Sequence, residues 1–234
     1  MVAVVIDPGH GGSKKVDGSS PNNAMGPTGL EEKIVTLQVG LAAAGALATS
    51  GLEVLLTRKD DRNIGIVERA AVAKKSRAAA FVSIHFNVSE SDQPPAQGTE
   101  TWIGEGYSEI SRALADRVHA SVRAVTGHRD RGVKVGDVSA VIKPANHDPQ
   151  TANCLIEISF LDRQAEEERR LRDPAYIEAL GRAVADGILA HLRERELLPG
   201  VDGVPFMDGP KRRSLADLTD PGHADAPTAM LRER

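Results

Sequence analysis

The chain has 234 residues, 41% of them hydrophobic, with 29 basic and 33 acidic side chains and a formal charge of -4. That is enough apolar material for one core and too much for a chain disordered throughout. The slightly acidic balance and the 3% aromatic content argue against a nucleic-acid partner, which calls for basic patches and stacking rings.

The first apolar run, Val2 to Ile6, stops at Asp7-Pro8-Gly9 and reads as a strand ending in a turn. Residues 11–30, rich in Gly, Ser, Pro and Asn, form a long loop, and loops of that length inside a domain usually carry function. From about Glu32 to Ser50 the spacing of Leu37, Leu41, Ala44 and Leu47 predicts a helix buried along that face, capped by Gly51. Glu53 to Thr57 is a second strand, residues 64–76 a second helix, and Ala79 to His85 a third strand. This alternation predicts an α/β fold: a single twisted, mostly parallel sheet flanked by helices.

A Pro-containing loop, Gln93 to Gln97, leads to a strand over Thr99 to Ile103, placed at a sheet edge. Residues 107–125 set Ile110, Leu114, Val118, Val122 and Val125 at helical spacing. Asn153 to Leu161 is a near-continuous apolar run, as in a strand buried on both faces, interrupted by Glu157. A last helix over 174–197 lines up Ile177, Leu180, Val184, Ile188 and Leu192. After Leu198 the composition turns to Pro, Gly and mixed charge, so residues 1–198 are read as the domain and 199–234 as an extended tail. The single cysteine, Cys154, excludes an internal disulfide and an all-cysteine metal site; its apolar setting makes it a small core residue. No window of about 18 uncharged apolar residues is present, so no integral membrane segment is expected. The N-terminus lacks the basic and apolar regions of a secretory signal peptide.

Three ionisable positions fall where strands end or a helix begins. His10 follows the first strand, His85 ends the third, and Glu31 and Glu32 open the first long helix. Strand ends of an open parallel sheet share one rim, where sites form. Two imidazoles and a carboxylate meeting there make a zinc site with a position left for water. Taken singly, each residue also has a plain reading: a satisfied polar histidine, or a glutamate favouring a helix N-terminus. Periodicity does not choose between Glu31 and Glu32. Glu157, inside LIEISF, is costly to bury alone; it either pairs with an arginine or moves protons at the rim. His119 and His191 are expected on helix surfaces, and His128 and His147 in loops within reach of substrate. His223 lies in the tail. The basic pairs Lys14-Lys15 and Lys74-Lys75, and the run Lys211 to Arg213, are read as solvated surface.

At this point the residues match a known family. VVIDPGHGG at 4–12, GLEEKIVTL at 29–37, EVLLTRKDD at 53–61 with Glu68-Arg69, FVSIHFN at 81–87 and LIEISFL at 155–161 resemble, in order, the signature segments of the zinc-dependent N-acetylmuramoyl-L-alanine amidases of the amidase-3 group. Arg131 to Lys134 is similar to its RGVK signal. The resemblance implies His10, Glu32 and His85 as ligands of one Zn2+ ion, Glu32 being preferred because the family's ligand directly precedes Lys. It implies Glu157 as the catalytic acid/base. The substrate would be peptidoglycan, cut between N-acetylmuramic acid and the L-alanine of the stem peptide. The place of action would be the cell wall, reached by lysin-type release from the cytoplasm or by export with a leader. Phe86 stands where the family has Ala and is expected to narrow the cleft; Phe86, Asn87 and Lys134 are the candidate substrate contacts. No long helical insertion is read between Asn87 and Gly98, so an uncovered cleft is expected. The rival readings are a zinc peptidase or deacetylase with the same site chemistry, and a wall-binding module without activity.

Overall fold

A computed structural model describes residues 1–89, 96–162 and 165–198. The tail expected over 199–234 lies outside the described residues. The strands are β1 Ala3–Pro8, β2 Glu53–Leu56, β3 Ala80–Asn87, β4 Thr99–Ile103, β5 Asp130–Val135 and β6 Ala152–Phe160. The helices are α1 Glu32–Leu47, α2 Ile66–Ser76, α3 Glu109–Thr126, α4 Ala165–Leu171 and α5 Pro174–Glu194. The strands form one six-stranded sheet in the order β2-β1-β3-β6-β4-β5. Every neighbouring pair is parallel except β4 with β6.

Side-chain alternation along the strands sorts the sequence onto two faces. Val4 and Ile6 of β1, Val82, Ile84 and Phe86 of β3, and Cys154, Ile156 and Ile158 of β6 pack into one large cluster. Val35, Val39 and Ala43 of α1, Leu114 and Val118 of α3, and Leu180, Val184 and Ile188 of α5 close it. The alternate positions Val5, Phe81 and Leu155 face the other way and meet Ala73 of α2 and Val141 and Ile142 of a short 3-10 turn. That second face carries Asp7, Ser83, His85 and Glu157 toward the carboxyl ends of the parallel strands. No described helix is long and apolar enough to cross a membrane.

Three expectations are corrected by the packing. The buried stripe of α1 is Val35, Val39, Ala43 and Leu47, while Leu41 is 43% exposed. The helix is apolar nearly all round, so its sequence does not fix its phase. Contact with α5 does: α5 approaches so closely at Gly181 that a Cβ there would lie 2.4 Å from the Cβ of Ala42. β4 is interior rather than an edge strand, because the polar segment DRGVKV forms β5 outside it. His119 and His191 are buried rather than surface residues. His119 lies 3.1 Å from both Thr101 Oγ1 and Asp130 Oδ1, which lets α3 pack over β4 and β5 with a polar ring in the interface.

Candidate active site

Where β1 ends, the backbone turns sharply through Gly9-His10-Gly11-Gly12. His10 adopts φ +60°, with Gly11 at +130° and Gly12 at +65°. The left-handed region costs a non-glycine residue roughly 1–2 kcal/mol, and two buried arginines hold the turn. Arg58 donates to Pro8 O at 2.9 Å, Gly9 O at 2.8 Å and Lys33 O at 2.7 Å. Arg69 donates to Asp7 Oδ1 at 2.9 Å, Pro8 O at 2.8 Å and His10 O at 2.7 Å. Asp7 also accepts from Thr57 Oγ1 at 2.5 Å and Ser83 Oγ at 2.7 Å. Burial alone would raise the Asp7 pKa, but Arg69 and these hydroxyls hold it below its ordinary value. Burial, with Arg69 alongside, brings Arg58 down to about 10, still cationic at neutral pH.

The turn presents His10 to Glu32, the first residue of α1, and to His85 near the end of β3. His10 Nε2 lies 3.2 Å and His85 Nδ1 3.1 Å from Glu32 Oε1. The two rings meet edge to face with centroids 4.8 Å apart. One donor atom from each of the three residues falls within 4.8 Å of the others. His10 Nδ1 lies 3.1 Å from Ser20 O and 3.0 Å from Ser20 Oγ, so Ser20 orients the ring with Nε2 toward the cluster. Glu32 is fixed by Ala24 N on Oε2 at 2.9 Å and Phe86 N on Oε1 at 3.0 Å. Gly9 is required for a steric reason: a Cβ there would lie 2.4 Å from His85 Cε1. Glu31, the open alternative, is outside the cluster, 3.6 Å from Lys33 Nζ.

Burial opposes ionisation of Glu32, but hydrogen bonds from His10 and His85 outweigh it and lower its pKa. His10 is raised, since Glu32 overcomes its desolvation, and His85 is lowered, chiefly by burial. Two imidazole nitrogens and a carboxylate converging in this way match in kind the donors that a metal ion such as zinc takes. The loop before Glu32 has its own anchor in α4. Glu168 accepts from Thr28 N at 2.7 Å, Thr28 Oγ1 at 2.6 Å and Leu30 N at 3.1 Å.

Glu157 of β6 sits opposite His85 in the β3–β6 register. With His10, His85 and Ser20 it lines a cavity of about 220 Å3. Its Oε2 is buried without a hydrogen-bond partner, and no arginine pairs with it among the described residues. Burial, then the charges of Glu32 and Glu100, push its pKa well above the ordinary carboxylate value.

A family model described as N-acetylmuramoyl-L-alanine amidase matches residues 4–190. The chain belongs to this amidase family. It is 32% identical over 190 residues to the N-acetylmuramoyl-L-alanine amidase CwlM of Bacillus licheniformis, covering 80% of this chain and 68% of that one. It is 31% identical over 191 residues to the amidase LytC of Bacillus subtilis, covering 81% of this chain but 35% of that one. Among solved structures, the catalytic domain of CwlV, an N-acetylmuramoyl-L-alanine amidase from Bacillus (Paenibacillus) polymyxa var. colistinus, matches with a TM-score of 0.71. That match has 32% identity and covers 82% of this chain and 99% of that one.

Other parts of the amidase site differ from expectation. Phe86 does not reach the cleft; it is 1% exposed, because alternation along β3 turns it into the helix-covered core opposite His85. Asn87 and Lys134 do line a cavity that includes Glu157. Both donate to Glu100, at 3.0 and 2.7 Å. His128 pairs with Glu167 at 2.9 Å and His147 with Val141 O at 2.7 Å; neither lines the Glu157 cavities. Residues 88–89 and 96–98 are not helical, while 90–95 lie outside the described residues, as does His223. Ser20, Asp7 and Glu100 went unread from sequence. Asp7, next to Pro-Gly at a strand end, was the one with a signal, since a carboxylate closing a buried Val-rich run needs donors.

Proposed function

We propose that His10, Glu32 and His85 hold one zinc ion and that the chain hydrolyses the amide between N-acetylmuramic acid and L-alanine in peptidoglycan, with Glu157 as acid/base. The observation carrying this reading is the convergence of three ligand atoms, two of whose residues, His10 and His85, line one cavity with Glu157 and its unpartnered, buried carboxyl oxygen. Bound zinc supplies a water acidified to a pKa of about 7 and polarises the substrate carbonyl. Glu157, with its raised proton affinity, accepts the proton of the attacking water as the new C–O bond forms. It returns that proton to the departing nitrogen as the C–N bond breaks. His10, oriented by Ser20, and His85, seated over Gly9, keep their ring positions through the reaction, and Arg58 and Arg69 keep the turn beneath them rigid. The action takes place on the cell wall.

The test is metal analysis coupled to digestion of purified wall. Glu157→Gln should retain zinc and lose cleavage; undiminished cleavage removes Glu157 from the mechanism. Chelation should stop turnover and added zinc restore it. Product analysis should find a new L-alanine amine on an intact stem peptide. Cleavage within the stem, or released acetate, would favour a peptidase or deacetylase instead, and wall binding with neither zinc nor turnover would favour a binding module.

A further inference from the structure

Beside the metal-ligand cavity, and sharing Glu157 and Val138 with it, lies a second chamber of about 460 Å3. Its wall is built on Glu100 of β4, which stands opposite Glu157 in the antiparallel β4–β6 register. Glu100 is 3% exposed and accepts from Arg131 Nε at 2.5 Å, Lys134 Nζ at 2.7 Å, Asn87 Nδ2 at 3.0 Å and Trp102 Nε1 at 3.1 Å. Two cations thus share the Glu100 carboxylate. Both cationic heads are also held over rings: the Arg131 guanidinium 4.9 Å from the Phe160 centroid, the Lys134 ammonium 5.0 Å from that of Trp102. They remain within reach of a ligand, with side chains 29% and 33% exposed. Arg131 spends Nε on Glu100, and its Nη1 and Nη2 have no acceptor among the described residues.

We propose that this chamber is a subsite for a free carboxylate on the stem peptide, a residue or two beyond the scissile amide. The inference rests on the amidase reading and specifies its substrate. A planar guanidinium with two spare donors matches a carboxylate's two oxygens, and cationic heads held in place on a buried counter-ion favour an anion over a neutral group. Glu100 is a positioning residue here: it orders the cations and does not touch substrate. In the stem, the first free carboxylate past the scissile amide is the α-carboxylate of the second residue, a glutamate joined onward through its side chain. Where that carboxylate is amidated, the subsite loses its anion.

The experiment compares N-acetylmuramoyl-L-alanyl-D-isoglutamate with its D-isoglutamine counterpart on the zinc-loaded enzyme. We expect kcat/KM to favour the carboxylate about tenfold or more, the scale of one charge-assisted hydrogen bond. Calorimetric binding of the two product dipeptides should show the same preference without turnover. Arg131→Gln should bring both ratios toward one, and Lys134→Gln should lower them in the same direction, which keeps the test available if one variant folds poorly. Equal handling of the two substrates by the native enzyme, or an undiminished preference in both variants, overturns the subsite while leaving the amidase reading intact. Cleavage of neither substrate refutes the amidase reading itself, and the subsite with it.

Discussion

His191 on α5 is 1% exposed, and neither of its ring nitrogens has a hydrogen-bond partner. Burial, reinforced by Arg195 and Arg117 against the weaker pull of Glu194, brings its pKa down to about 4. An unfolded histidine titrates near 6.5. On acidification the unfolded chain therefore takes up the proton first, and stability falls as pH drops from about 6.5 toward 4. At about 1.4 kcal/mol per tenfold in proton affinity, the full loss is about 3.5 kcal/mol, and about 2.5 kcal/mol of it falls between pH 7 and 4.5. His191→Leu keeps a helix-forming side chain of similar volume and removes the titration. Urea denaturation of both proteins at pH 7 and pH 4.5 isolates the effect, since the other titrating groups are common to both. The variant should lose about 2.5 kcal/mol less than the native chain over that interval. At pH 7 it should be the more stable by about 1 kcal/mol, having two fewer unsatisfied buried atoms. Parallel losses in the two proteins would refute the reasoning.

Three further outcomes follow from the site. Gly9→Ala drives a methyl group into the His85 ring, so zinc retention, measured by competition with a chelator, should fall well before the fold is lost. Arg69→Met strands the buried Asp7 carboxylate and frees the carbonyl of His10; about 3–5 kcal/mol should disappear from the urea unfolding free energy. Because the Glu157 pKa is raised, its basic form is lost as pH falls through that value. The acid limb of kcat/KM should accordingly lie above the ordinary carboxylate range, and the residual rate of Glu157→Gln should lack it.

His10, His85 and Glu157 were legible because polar residues at the ends or in the middle of Val- and Ile-rich strands stand out against their surroundings. Glu32 was not separable from Glu31 by pattern, since both open the same helix; a helix turns about 100° per residue, and only the three-dimensional path of loop 11–30 decides which carboxylate faces His10. Glu100 was hidden for a related reason. TETWI alternates like an ordinary edge strand, and the cations that neutralise Glu100 come from β5, whose Asp, Arg and Lys content masked a strand altogether. The burial of His119 and His191 was equally illegible, because a helix's own periodicity does not say which neighbour covers its polar flank, as β4 and β5 cover His119.

The clamp between Glu168 and residues 28–30 has a bearing on how the molecule comes to be made. The two partners lie about 140 residues apart in the chain, so residues 28–30, next to Glu32, gain this anchor only once α4 has left the ribosome. Nascent polypeptide that already contains both histidines thus lacks one of the contacts that brace the approach to Glu32, and the full set arrives late in synthesis. For the same reason a shortened version ending before residue 165 would carry every proposed catalytic side chain and still lack the brace that sets one of them.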